Sequence, residues 1–186
     1  MPAFFLALIA TFVASMGGRD QRLVAWLSEK LGASTGLLVA AWIASALTAT
    51  IAALAGEGLA ALMPPEAKQM FVAFALLAGA VELCWPVRLR EPAEPTRSLF
   101  AATIVLAARQ VGDAARFLIV AFAAATGSHW LAGAGGMIGG AGAVTLGWAM
   151  GAELAARLPL RAIRFAIAAV LLLAALWTGA AARGIV

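Results

Sequence analysis

Arg109, Asp113 and Arg116 stand inside a long apolar run, in the stretch Ala107-Ala-Arg-Gln-Val-Gly-Asp-Ala-Ala-Arg-Phe117. Ionised side chains are costly at the depth of a bilayer. Where they occur they face protein or a water-filled path, so each is a candidate functional residue. On a continuous helix Arg109 and Asp113 are four apart and Asp113 and Arg116 three apart, so the spacing predicts one face carrying all three. A carboxylate flanked by two guanidinium groups can titrate and bind a cation, help its arginines receive an anion, or serve as their structural counter-ion. A second polar interruption, Ser15-Met-Gly-Gly-Arg-Asp-Gln21, lies in an otherwise apolar run near the amino terminus.

The elements that must position these residues follow from composition. Of 186 residues 64% are hydrophobic and 12% charged, and the mean hydropathy is +0.98. A water-soluble domain of this length leaves too much surface wet to hide that much apolar area, which points to an integral membrane protein. The Ala/Leu/Val runs do not alternate as barrel strands do, so the expected class is all-α. The formal charge of +4 comes from few groups and carries no reading of nucleic-acid binding. The single cysteine, Cys84, excludes an intramolecular disulfide and a multi-cysteine metal site. No tyrosine is present, and some of the six tryptophans lie near ends of apolar runs, where interfacial anchors are expected. With one histidine, and no base near Ser15 or Ser28, an enzyme is not expected.

Six spans are predicted: about 2–31 (broken or kinked at Gly17-Gly18), 34–63, 66–87, 97–126, 128–158 and 160–183. Each is long enough for a hydrocarbon core that needs roughly 20 helical residues. The first apolar run has no basic region ahead of it, against a cleaved signal peptide. Pro86 to Thr96, rich in proline and charge, is the clear loop. Residues 1–90 then form one three-helix repeat, 91–96 a loop and 97–186 a second repeat. The punctuation supports this division, because Gly17/Gly112, Gly32/Gly127, Gly56/Gly151 and Pro64/Pro159 are all separated by 95 positions. Three spans per repeat is an odd number, so the second repeat enters the membrane from the opposite side. That is the inverted architecture of secondary transporters, whose sites lie near the midplane between repeats.

Lys30, Arg88, Arg90, Arg97, Arg157 and Arg161 fall on one side of this topology, and only Lys68 and Arg183 on the other. The positive-inside rule makes the first side cytoplasmic, with both termini outside, as expected in a bacterial inner membrane. The pairs Gly135/Gly139, Gly136/Gly140 and Gly147/Gly151 predict small-xxx-small packing in the fifth span. The lipid bilayer is the expected partner, nucleic acid is not, and self-association is left open.

Six spans in two inverted halves, each with a Gly- and Asp-containing interruption in its first span, resemble the Golgi and bacterial manganese/calcium–proton antiporters. That family carries Glu-x-Gly-Asp-(Lys/Arg)-(Ser/Thr) twice, usually followed by Gln. The resemblance covers essentially the whole chain, including the glycine-rich fifth span and the proline ending spans two and five. It implies that motif residues bind manganese or calcium and exchange it for protons. In the first half Gly17, Arg19 and Gln21 fit, while Ser15 stands for the Glu, Gly18 for the Asp and Asp20 for the hydroxyl residue. In the second half Gly112 and Asp113 fit, Gln110 stands for the Glu, and Ala114 and Ala115 fill the basic and hydroxyl positions. The resemblance therefore implies an ion site of Asp113, Gln110, Gly112, Asp20, Ser15, Gly17 and Gln21, with Asp113 and Asp20 as metal ligands. Arg19, Arg109 and Arg116 are the charge partners.

Hard divalent cations want six or more oxygens, with carboxylates supplying charge. Asp20 and Asp113 stand against Arg19, Arg22, Arg109 and Arg116, a formal +2, which repels a cation at low effective dielectric. Three readings follow: a cation/proton exchanger with an altered site, a transporter of an anion met by Arg109 and Arg116, or a non-transporting relative whose ion pairs are structural. Among the other polar residues, Glu57 reads either as an extension of a cation path or as an interfacial carboxylate at a helix end, the latter favoured, and His129 as an interfacial residue rather than a proton relay. Glu82 is expected to pair with Arg88 or face headgroups, and Glu153 to pair with Arg157 on a helix surface.

Overall fold

The computed structural model describes residues 2–87 and 98–185, and these are all-helical. The helices are α1 (Pro2–Ala14), α2 (Arg19–Leu31), α3 (Thr35–Ala61), α4 (Pro65–Cys84), α5 (Leu99–Gln110), α6 (Ala114–Thr126), α7 (His129–Met150), the short α8 (Glu153–Arg157) and α9 (Leu160–Ala182). Among them α3, α4 and α9 are long and apolar enough to cross a membrane, and α1 with α2, bent by 61° at their break, makes a fourth candidate. The predicted loop beyond Val87, with Arg88, Arg90, Arg97 and the boundary at 91–96, lies outside the described residues.

The exposed surface is rich in large apolar side chains, as suits a membrane protein. Trp42, Ile43, Leu47, Ile51 and Leu54 on α3, Phe74 and Val81 on α4, and Val170, Leu173, Leu176 and Trp177 on α9 are exposed. Asp20, Gln21, Ser45, Thr48, Gln110, Asp113, Arg116 and Arg164 are buried. An extensive exposed apolar shell, over an apolar core with a few buried polar side chains, suits a membrane-facing surface.

The first predicted span is broken. Gly17 has φ of +73°, a left-handed conformation, and Gly18 is the N-cap of α2. The second half repeats the device: Gly112 also has φ of +73° and Asp113 is the N-cap of α6. A left-handed residue ends a helix, and glycine reaches that region without the penalty a Cβ brings. This break corrects the expectation of one shared helical face, because Arg109 is on α5 while Asp113 and Arg116 begin α6. Gly151 also departs from expectation. It ends α7 with φ of +52° instead of continuing a small-residue face with Gly147.

Helix boundaries follow the 95-residue spacing: Arg19 and Ala114 open α2 and α6, and Leu31 and Thr126 close them. Pro65 and Leu160 open α4 and α9 at the same spacing. Packing exchanges partners between the halves. The α1/α2 pair lies on α7, the α5/α6 pair lies on α3, and α3 packs on α7 between them. Close backbone approach makes this exchange work. A Cβ at Gly135 would meet the Phe4 carbonyl and Leu8 N (3.1 Å), and one at Gly139 the Leu8 carbonyl and Phe12 N (2.9 Å). The expected Gly135/Gly139 face is therefore the seat of α1, and dispersion at this short range replaces the hydrophobic drive that lipid cannot supply.

Candidate functional site

The two breaks face each other across the α3–α7 pair, and there the polar side chains converge. Gln110, the last residue of α5, donates from Nε2 to Asp20 Oδ2 at 2.8 Å and to Ser45 Oγ at 3.1 Å. Its Oε1 accepts from Arg116 Nη2 at 2.6 Å and lies 2.7 Å from Thr48 Oγ1. Arg116 also donates from Nε (3.0 Å) and Nη2 (2.6 Å) to Thr48 Oγ1. Its Nη1 is 3.2 Å from Asp113 Oδ2. Asp113 Oδ1 caps α6 by accepting from Arg116 N at 2.8 Å. The result is a buried chain, Asp20–Gln110–Arg116–Asp113, flanked by Ser45 and Thr48 of α3.

Local structure explains why carboxylates are held here. Asp113 caps α6, and Asp20 is in the first turn of α2. Each sits at the positive end of a half-helix, where backbone N–H groups stabilise a negative charge. Gln110, at the carboxyl end of α5, bridges one break to the other. A buried charge is tolerated when paired and hydrogen-bonded, and the single guanidinium of Arg116 meets that condition for Asp113 directly and for Asp20 through Gln110.

The electrostatic sum changes accordingly. Counting the two sequence stretches together gave +2, but the fold separates those arginines. Arg19, with its side chain 39% exposed, points to Glu82 (3.6 Å) and the Gly112 carbonyl (3.5 Å). Arg22 reaches the Val87 carbonyl at 3.4 Å. Arg109 lies in the last turn of α5, next to Gln110. Within the bonded chain itself two carboxylates stand against the one guanidinium of Arg116, a formal −1, so the +2 counted over the two stretches does not describe it.

Of the residues the sequence put forward, Asp20, Asp113, Gln110 and Arg116 are brought together. Gly17 and Gly112 form the breaks. Gln21 is buried elsewhere, accepting from Gly17 N at 2.7 Å and donating to the Ala143 carbonyl at 2.7 Å, so it stitches the first break to α7. Ser15 is buried and its Oγ meets no hydrogen-bond partner among the described residues. Ser45 and Thr48 were not singled out beforehand; their signal was two hydroxyl residues three apart in an apolar helix. Arg164 was also missed. It is 4% exposed and donates from Nη2 to the Glu82 carbonyl at 2.9 Å, with the Glu82 carboxylate 3.4 Å away. An arginine one turn into the sixth apolar run was the available clue. Glu82 thus pairs with Arg164 and Arg19, while Arg88 lies outside the described residues.

At the far end of α3, His129 Nδ1 is 2.6 Å from Glu57 Oε1. Glu153 and Arg157 make the expected exposed pair at 2.9 Å. No group of three or more His, Cys, Asp or Glu side chains poised for a metal ion occurs among the described residues. The oxygens available at the centre are therefore two carboxylates, two hydroxyls and one amide, a hard-donor set. Compared with protein-family models, curated proteins and solved structures, the chain matches none.

Proposed function

We propose that this chain is a secondary transporter-like membrane protein of the manganese/calcium–proton exchange type, built as two inverted three-helix repeats with six spans. Its ion site is the Asp20–Gln110–Arg116–Asp113 centre. The observation that carries this reading is the meeting of two buried carboxylates, one from each broken helix, at a centre of formal charge −1. Broken helices whose ends face a common point between repeats are how transporters bind ions at the midplane. In the six-span topology α5 and α6 make the fourth span and α7 with α8 the fifth. Glycine lowers the hydropathy of α7 without adding polar side chains, which reconciles its composition with a spanning role.

The chemistry is a competition. A divalent cation seeking both carboxylates and the Ser45, Thr48 and Gln110 oxygens must displace the Arg116 guanidinium from Asp113 and Gln110. Protonation of a carboxylate weakens the same contacts. Arg116 thereby acts as a tethered cation that holds the centre together between loads, and cation and proton exclude each other because both act on the same carboxylates. The anion reading is disfavoured here, since the Arg116 donors already meet Asp113, Gln110 and Thr48.

A second reading has its own observation. The chain of bonds is closed and buried, as a structural clamp between two helix breaks would be. Proton flux in proteoliposomes with a trapped pH dye separates the two. Manganese- or calcium-driven flux that is lost in Asp113→Asn is expected of the exchanger. Absence of flux with either ion, from protein that remains folded and monodisperse, would leave the clamp.

A further inference from the structure

A second charged cluster lies where α4 ends beside the start of α9 and α2. Arg22, Arg161 and Arg164 line a cavity of about 300 Å³, with Trp85, Pro86 and Val87 as part of its wall. Trp85, Pro86 and Val87 also border a neighbouring cavity of about 500 Å³, lined by Arg19 and Glu82 but otherwise apolar, with Leu77, Val81 and Phe117 among its walls.

The guanidinium groups of the smaller cavity are incompletely used by the protein. Arg22 makes one long bond from Nη1 to the Val87 carbonyl, and its buried Nε donates to no described residue. Arg161, exposed, has its guanidinium carbon 5.5 Å from the Phe165 ring centre. Arg164 commits Nη2 to Glu82 and the Trp85 carbonyl. Among the described residues lining the two cavities, Arg19, Arg22, Arg161 and Arg164 are opposed by Glu82 alone, a formal +3. Holding like charges together next to an apolar surface is unfavourable unless an anion joins them. Arginine, with its planar fork of donors, suits phosphate oxygens.

We propose that this cluster binds an anionic phospholipid, with the phosphate among Arg22, Arg161 and Arg164 and an acyl chain along Leu77, Val81 and Phe117. Charge complementarity selects the headgroup, and the apolar cavity at its side selects a lipid over a free anion. Basic pockets between membrane helices bind anionic headgroups in this way. The site does not depend on whether ions cross at the other centre.

The test uses the full chain in nanodiscs of phosphatidylcholine, with or without phosphatidylglycerol, read by native mass spectrometry for retained lipid and by thermal unfolding. Phosphatidylglycerol is expected to be retained and to raise Tm, and phosphatidylcholine to do neither. Arg161→Gln and Arg22→Gln are each expected to weaken phosphatidylglycerol binding about fivefold, the worth of one basic residue at an anionic lipid surface. Arg157→Gln, on a helix-surface pair outside both cavities, serves as the control and retains the lipid. Because Arg161 is exposed, its replacement leaves the fold intact and the result interpretable. Equal retention of both lipids, or undiminished binding in Arg161→Gln and Arg22→Gln, would overturn the proposal. So would inorganic phosphate that binds as tightly as phosphatidylglycerol, since the acyl cavity would then contribute nothing.

Discussion

Replacing Arg116 by leucine removes the one cation of the buried centre and leaves Asp113 and Asp20 facing each other's field through Gln110. Arg116 touches Asp113, Gln110 and Thr48 at 2.6–3.2 Å. Taking one partner from a buried pair costs about 3–5 kcal/mol, because the other is left charged and dry. Asp113→Asn is milder. Asparagine caps a helix about as well as aspartate, so the bond from Arg116 N to Oδ1 survives. The loss is then confined to one charge-assisted hydrogen bond, about 1.5–3 kcal/mol. In Asp113→Asn/Arg116→Leu the uncompensated carboxylate at position 113 is gone. The double variant is therefore expected to fall short of the sum of the single costs by about 2 kcal/mol, within the range of coupled neighbours. Equilibrium unfolding in mixed SDS micelles, followed by tryptophan fluorescence, gives all four corners of the cycle, and proteoliposome flux is measured on the same preparations. Recovered stability without recovered flux is the expected pattern. Single costs that add to within about 0.5 kcal/mol would refute the pairing argument, since uncoupled sites behave that way.

Gly139→Ala and Gly112→Ala separate two kinds of glycine requirement. At Gly139 a Cβ meets the Leu8 carbonyl and Phe12 N, so overpacking of α1 on α7 should cost about 1–3 kcal/mol. At Gly112 nothing lies within 4 Å, so only the left-handed φ opposes alanine, at about 1–2 kcal/mol. Thermal unfolding of Gly139→Ala in lipids of several headgroups should show the same loss, and a variant as stable as the parent would contradict the close approach. Gln110→Glu puts a third carboxylate against Asp20 Oδ2, now 2.8 Å from Gln110 Nε2. The variant should unfold at lower temperature than the parent in metal-free buffer and regain several degrees in excess manganese, as ligand linkage requires. A midpoint indifferent to manganese would argue against a cation site. The proposed six-span topology, oriented by the positive-inside rule, has both termini outside, so alkaline phosphatase fused at the carboxyl terminus should be active, and activity only of a cytoplasmic reporter there would reject it.

Much of the polar logic was legible in residue order because a bilayer makes charge conspicuous. Asp113, Arg116, Asp20 and Gln110 each interrupt an apolar run, and the penalty on such interruptions singles them out without coordinates. The glycine and proline punctuation at a spacing of 95 also marks where helices break and end, since left-handed φ and a missing N–H act locally. Gln21, equally conspicuous, proved to bind the first break to Ala143. Local signals mark a buried polar residue but do not choose its partner.

The tertiary structure decided the partners and the charge. Arg19 and Arg22 lie within three residues of Asp20 in sequence, yet the start of α2 directs Arg19 to Glu82 and the Gly112 carbonyl and Arg22 to the Val87 carbonyl, not to Asp20. Ser45, Thr48 and Arg164 entered only because α3 and α9 pack against the breaks. A net +2 in the sequence thus became a formal −1 in space. Coulomb energy depends on separation and local dielectric, and helix order and backbone breaks, not chain proximity, set both.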